Sequence, residues 1–326
     1  MRYATGPGDP TPVPISVIGL GTWQFGSSEW GYGVDYERRT AALVHRAIDL
    51  GVTLIDTAEI YGRGRSEHLV GAAIVERRDE VVLATKIFPV MPIAPVVEQR
   101  GVASAQRLGV RRLDLYQVHQ PNPLVGDHRT MPGMRALQDV GLVDQVGVSN
   151  YSLERWKAAE AALGRPVLSN QVQYSLAQRA PEEDLLPYAV ERGRLVIAYS
   201  PLAQGLLSGR YSAQDPPPGR VRRINPLFLP ENLERAAALL AVLREVADAH
   251  QVTMSQAALA YLVAHPGVVA IPGASSEAQV EANAAAGDIV LAPDEVGALA
   301  DAARDFVPVR GARAMVPLIR AGRARR

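Results

Sequence analysis

Eight short apolar runs, spaced so that helices fit between them, constrain this chain more than any other feature. They are "IGLGTW" (Ile18 to Trp23), "TLIDTA", "VVLATK", "LDLYQVH", "DQVGVS", "VLSNQV", "LVIAYS" and "VVAIPG". Each is apolar enough to be a strand buried on both faces, as a parallel sheet wrapped by helices requires. Before the second run, Arg38 to Leu50 reads as a helix carrying Leu43, Val44, Ala47, Ile48 and Leu50, with Gly51 placed to stop it. Eight alternating units in one uninterrupted chain predict an α/β fold, a (β/α)8 TIM barrel. The proline-rich start, "GPGDPTPVPIS", predicts an N-terminal hairpin or turn ahead of it. A doubly wound sheet is the competing fold. Against it, "GLGTWQ" and "GRGRSE" begin as G-x-G but lack the third glycine of a dinucleotide fingerprint.

The 326 residues contain no linker or low-complexity block, so one barrel domain over residues 1–326 is expected, with a basic tail from about residue 310 to 326. The net charge is zero, which argues against nucleic acid as a partner. The absence of Cys excludes disulfides and thiolate chemistry and fits a reducing compartment. The N-terminus has no apolar leader core, and no stretch approaches membrane-spanning length. A soluble, cytoplasmic protein with no membrane partner is expected.

In such a barrel the chemistry sits at the C-terminal ends of the strands. The polar residues there are Asp56, Lys86, His119, Ser149 with Asn150, Gln171, and Tyr199 with Ser200. Structural explanations compete: Asp56 as the N-cap of a following turn, His119 as a satisfied strand-edge histidine, Tyr199 as a core aromatic. Lys86 is harder to explain that way. The chain has only two lysines, Lys86 and Lys157, and uses arginine for nearly every other positive charge. A compact ammonium fits beside a phenol where a planar guanidinium does not. Lys157, on a helix-like segment, reads as a surface residue. The six histidines form no H-x-H or H-E-x-x-H pair, so no metal site is expected, and no nucleophile elbow or P-loop occurs.

Taken together, "GLGTWQFG", "LIDTAEIYGRGRSEHLVGAAI", "ATK", "LDLYQVHQPNP", "GVSNYS", "NQVQYS", "AYSPLAQGLLSGR" and "IPGASSEAQVEANAAA" give a chain that resembles the aldo-keto reductases over nearly all its length. The resemblance implies a catalytic tetrad of Asp56, Tyr61, Lys86 and His119, and a nicotinamide cofactor, NADP(H) or NAD(H), bound without a Rossmann domain. It implies reduction of an aldehyde or ketone to an alcohol by hydride transfer, with Tyr61 as proton donor. Its alternative is a cofactor-binding regulatory subunit of the same fold. A free phenol titrates near pH 10. Lys86 is expected to lower that value, Asp56 to hold Lys86, and His119 to orient the substrate carbonyl or relay a proton.

The same resemblance places Ser149, Asn150 and Gln171 on the nicotinamide carboxamide and Tyr199 on the nicotinamide face. Gly21, Thr22, Trp23, Asp56 and Ser200 complete that end of the cofactor site. Backbone N–H groups near Leu202, Gly205 and Leu207 are expected at the pyrophosphate. Trp23 and Trp30 join Tyr61 and His119 in the substrate pocket. Ser66 reads as the N-cap of the helix after Gly62 and Gly64. Substrate-determining segments are expected at Pro121 to Pro132, at Gly209 to Pro230, and in the tail, where Met315, Val316, Leu318 and Ile319 reach the substrate.

The 2'-phosphate of NADPH is generally held in this family by Lys or Arg after the last strand. Here Gly273, Ser275 and Gln279 stand at those positions, with Asn283 and a helix start near Ser276. NADPH is therefore expected to be preferred by a narrower margin than is usual, unless Arg220, Arg222 or Arg223 supplies the charge. The natural substrate and the oligomeric state are not read from the sequence.

Overall fold

The computed structural model describes residues 1–4, 13–26, 36–218, 222, 224–311 and 313–314. A short antiparallel pair, β1 (Tyr3–Ala4) with β2 (Ile15–Ser16), forms the N-terminal hairpin. Eight parallel strands follow: β3 (Leu20–Gly21), β4 (Leu54–Asp56), β5 (Val82–Ile87), β6 (Leu113–Val118), β7 (Val143–Ser149), β8 (Ser169–Gln173), β9 (Leu195–Tyr199) and β10 (Val268–Ala270). Each pairs with its neighbour in chain order. Parallel bridges from Ile18 to Ala270 and from Gly21 to Gly273 bring the last strand back to the first and close the barrel.

The first strand is shorter than the run Ile18 to Trp23 that predicts it. Phe25 donates its N–H to the carbonyl of Thr22, so the chain turns immediately after β3 and leaves Trp23 on that turn. The first helix is Tyr36–Asp49, and Gly51 follows it at φ +80°, a conformation open chiefly to glycine.

Strand β5 shows how the sequence sorts its two faces. All six of its residues are buried, because helices cover the outside and other strands face the inside. Thr85 points outward and donates to Glu67 Oε1 on the helix Arg65–Ala73, while the next residue, Lys86, points into the bore and reaches Asp56 on β4. On β6, Tyr116 and Gln117 divide in the same way: Gln117 reaches Asp56 inside the barrel, and Tyr116 lies against Gly101 of the outer helix Ala94–Leu108. Beyond β9 the chain makes several turns and helices before β10. After β10, the helices Glu277–Ala285 and Pro293–Asp305 complete the outer ring, the last packed on Ala237–Ala249. Among the described residues, no helix is long and apolar enough to cross a membrane.

Candidate active site

Asp56, Lys86 and His119 stand at or just past the ends of three neighbouring strands, β4, β5 and β6. Tyr61 enters from the loop after β4. That loop reverses through Gly62 (φ +57°), Arg63 (φ +58°) and Gly64 (φ +86°), where the glycines ease the turn. Ser66 does not cap the following helix. Helix Arg65–Ala73 begins one residue earlier, behind Gly64, with no side-chain cap. The Ser66 hydroxyl is instead fully buried between those of Thr22 and Thr57, 2.9 Å from each, and donates to the Thr22 carbonyl.

Lys86 is completely buried. Its Nζ donates to Asp56 Oδ1 at 2.5 Å and to the carbonyl of Thr57 at 2.8 Å, and lies 3.4 Å from Tyr61 Oη. Asp56 Oδ2 accepts from Gln171 Nε2 at 2.8 Å and from Gln117 Nε2 at 3.3 Å. The carboxylate thus meets an ammonium on one oxygen and two amides on the other, which compensates the cost of placing a charge out of water. Burial by itself disfavours charged Lys86, but Asp56 and Tyr61 outweigh it and hold the lysine above its ordinary value.

Tyr61 departs from the expected direction. Lys86 does pull the phenol down, yet burial outweighs it and Asp56 adds to the upward push, so Tyr61 is held above the ordinary tyrosine value. It is a protonated phenol at neutral pH, the form a proton donor must have. His119 is pushed down to about 3, by burial first and the Lys86 charge second. It is therefore neutral at physiological pH, which favours the orienting role over an imidazolium relay. Its buried Nδ1 has no hydrogen-bond partner among the described residues, and its ring meets Tyr61 edge-on at 5.7 Å and Phe88 edge-on at 6.0 Å.

Around the other half of the mouth, Asn150 holds a left-handed backbone (φ +61°). Its Nδ2 donates to the His119 carbonyl at 3.2 Å and to Ser149 Oγ at 3.1 Å, and its Oδ1 accepts from Tyr199 Oη at 2.9 Å. Gln171 has its amide N–H on Asp56, so it also braces the acid–base cluster. Ser200, Ala203 and Gln204 are left-handed as well (φ +50°, +48° and +57°). The N–H groups of Gly205 and Leu207 close turns onto the Leu202 carbonyl, at 2.9 and 3.3 Å, rather than standing free for an anion as expected.

Three other expected cofactor contacts have structural employment. Thr22 is fully buried, and its hydroxyl donates to the Asp56 carbonyl at 2.9 Å. Gly21 leaves room for the Ile271 carbonyl, which a Cβ would approach to 2.7 Å, so its lack of a side chain serves barrel closure. A Cβ on Gly273 would meet the Gln24 side chain at 2.4 Å, and Gln24 Nε2 donates to the Ala274 carbonyl at 3.0 Å.

Ser276 caps the helix Glu277–Ala285 through its hydroxyl. Ser275 donates its N–H and its hydroxyl to Gln279 Oε1, at 2.7 and 2.9 Å, and Asn283 Nδ2 lies 3.4 Å from the Gly273 carbonyl. Arg222 donates to the Gln204 carbonyl at 3.0 Å and lies over the Tyr211 ring. Trp23 is 45% exposed on its turn. Lys157 is exposed on the helix Leu153–Leu163, as expected. Trp30, Arg220, Arg223, Met315, Val316, Leu318 and Ile319 lie outside the described residues.

Sequence reasoning missed Gln117, Gln24, Phe88 and Glu59. Gln117 was within reach: it stands on β6 two residues before His119, which follows that strand's last residue, and so has the same parity.

An eight-stranded parallel barrel with this cluster at its mouth is matched by the Aldo/keto reductase family profile over residues 17–304. The chain belongs to the aldo/keto reductase family. It is 55% identical over 313 residues to the uncharacterized oxidoreductase Rv2298 of Mycobacterium tuberculosis, spanning 96% of this chain and 97% of that one. It is 34% identical to the methylglyoxal reductase YeaE of Escherichia coli, over 88% and 90% of the two chains. Among solved structures, an aldo/keto reductase from Klebsiella pneumoniae in complex with NADP and acetate matches with a TM-score of 0.72 and 33% identity. That match covers 92% of this chain and 95% of the other. This aldo/keto reductase is accordingly an oxidoreductase.

Proposed function

We propose that this aldo/keto reductase acts as one barrel domain that reduces an aldehyde or ketone to the alcohol with NADP(H), and that Tyr61 delivers the proton. One observation carries the reading: the fully buried Lys86 ammonium is fixed by Asp56 and the Thr57 carbonyl and directs its remaining side at the Tyr61 hydroxyl, 3.4 Å away. An ion pair serving only the fold needs no phenol at that position.

The neutral amides and hydroxyls of Ser149, Asn150 and Gln171 lie at the ends of two adjacent strands, β7 and β8, and offer both donors and acceptors to a carboxamide. Gln171, with its N–H on Asp56, keeps its amide oxygen as an acceptor. Tyr199, tethered through its hydroxyl to Asn150, presents a fixed aromatic ring beside them. These residues fit a nicotinamide. When bound, the reduced coenzyme supplies a hydride to the carbonyl carbon.

The protein's own part is proton delivery and charge stabilisation. Neutral His119 donates a hydrogen bond to the carbonyl oxygen and orients it toward Tyr61. The phenol proton passes to that oxygen as negative charge develops there. Lys86, held charged by Asp56, stabilises the phenolate that remains until solvent reprotonates it. The names of its relatives support a small carbonyl substrate: the Escherichia coli protein is a methylglyoxal reductase, and the Klebsiella structure holds NADP with acetate.

Oxidation of NADPH with a panel of aldehydes and ketones tests the proposal. Turnover of at least one reactive aldehyde is expected. Tight NADPH binding without turnover of any carbonyl would overturn it in favour of a regulatory cofactor-binding subunit.

A further inference from the structure

Both glutamates of the stretch "DTAEIYGRGRSE", Glu59 and Glu67, flank Tyr61, yet the chemistry above uses neither. Glu67 is completely buried and Glu59 is 9% exposed. Opposite them stand Arg100 and Arg107 of the helix Ala94–Leu108, seven residues apart and so on one helix face. Arg107 Nε donates to Glu67 Oε2 at 2.5 Å, and its guanidinium lies 3.9 Å from Glu59 Oε2. Its path runs directly under the tyrosine turn, where a Cβ on Gly64 would meet Arg107 Cδ at 2.7 Å.

Arg100 pairs with Glu59 through two nitrogens, one of them Nε at 3.0 Å from Oε2. The pair grips the backbone of a single residue on both sides. Glu59 accepts the N–H of Phe88, and Arg100 Nη1 donates to the Phe88 carbonyl at 2.7 Å. Phe88 is the residue whose ring lies edge-on against His119.

We propose that Glu59 and Arg100, steadied by Arg107 and Glu67, form a positioning clamp. It sets the Tyr61 turn and the Phe88 wall at a fixed separation on either side of His119. The proposal rests on the reading of Tyr61 as proton donor. Glu59 lies two residues before Tyr61, and Phe88 two after Lys86, so one ion pair fixes the chain beside both members of the proton-delivery pair. Apolar side chains of equal volume would stabilise the fold about as well as buried charges do. What the charges add is direction, because a guanidinium fork and a carboxylate fix the two peptide planes that meet at Phe88. Substrates that pack against Phe88 are therefore those whose carbonyl the clamp aims at Tyr61.

The test compares wild type with Arg100→Lys, Arg100→Met and Glu59→Gln. It measures kcat and KM for an aldehyde that wild type reduces, the NADPH dissociation constant by fluorescence, thermal unfolding, and the ring-proton resonances of His119. Those resonances are assigned by their absence in His119→Gln. Arg100→Lys keeps the charge but not the fork. It is expected to retain NADPH affinity within about twofold and most of the thermal stability, while kcat falls roughly 10- to 100-fold and the His119 resonances shift. Glu59→Gln is expected to do the same. Unchanged kcat and unchanged His119 resonances in both would overturn the clamp. Should Arg100→Met fail to fold, Arg100→Lys decides. Should wild type reduce no carbonyl, the Tyr61 reading fails, while the His119 resonances still report whether the clamp positions Phe88.

Discussion

The loops after β4, β5 and β6 and the loops after β7 to β10 build opposite halves of one mouth by different means. The first half relies on charge taken out of water: Asp56 with Lys86, Glu59 with Arg100, and Glu67 with Arg107, each carboxylate further engaged by an amide, a backbone N–H or a hydroxyl. The second half relies on neutral groups. Ser149, Asn150 and Tyr199 bond one another, and Ser275 bonds Gln279. Charges fixed before the substrate arrives act on a transition state without reorganising. Neutral amides and hydroxyls suit a coenzyme that must enter and leave. The expected division of labour is turnover in the first half and coenzyme choice in the second.

Beside the proton donor itself, the largest expected effect breaks the first half. Lys86→Met should lower carbonyl reduction about 10²- to 10⁴-fold, while Lys157→Met, on the exposed face of its helix, should leave the rate unchanged. Steady-state rates with one aldehyde check this. Equal effects of the two changes would remove the distinction between a buried, directed ammonium and an ordinary surface cation.

A smaller effect sharpens the second half. The segment 273–285 carries Glu277 and Glu281 but no Lys or Arg. The neighbouring Arg46 is spent on Glu281, with Nε 2.8 Å from Oε1. Ser275 and Gln279 are closed on each other. A charge-assisted hydrogen bond contributes about 1.5–3 kcal/mol, or roughly 10- to 100-fold in affinity. Ser275→Arg should therefore tighten NADPH by about that factor and leave NADH unaffected, as read by fluorescence titration. A wild type that already discriminates by more than about a thousandfold, with no gain from the substitution, would show that another cation holds the phosphate.

The first half was legible in the sequence for a physical reason. A lysine among arginines and an acid ending an apolar strand are chemically conspicuous, and they fall where a barrel puts its chemistry. The eight strands were legible because burial on both faces writes a continuous apolar run. What stayed hidden depends on direction in space. Ser66 looks like a helix cap, yet the left-handed Gly64 starts the helix earlier and frees the hydroxyl for a buried network. Gln171 looks like a coenzyme ligand alone, yet strand parity also aims it at Asp56. The N–H groups of Gly205 and Leu207 look available, but left-handed residues at Ala203 and Gln204 curl them back onto Leu202. Glu59 and Glu67 were in plain view, but their arginine partners lie 41 and 40 positions away.

An effect on stability rather than turnover lies at the border between the halves. His119 binds a proton less tightly in the folded protein, at about 3, than in the unfolded chain, whose ordinary value is 6.5. Between those values the unfolded state holds more protons, so stability declines as pH falls through that window, by up to about 1.4 kcal/mol per unit from this group. Denaturant unfolding at several pH values should show a shallower decline for His119→Gln than for wild type. Identical slopes would mean that His119 is not held neutral by its surroundings.

The central claim is that Tyr61 delivers the proton while the opposite half of the mouth binds the coenzyme. Tyr61→Phe removes one oxygen and little else. NADPH affinity and kcat for a reactive aldehyde, measured on the same preparation, test the claim most directly. The account expects the dissociation constant to stay within about twofold and carbonyl reduction to fall below detection. Wild-type turnover in Tyr61→Phe would contradict it.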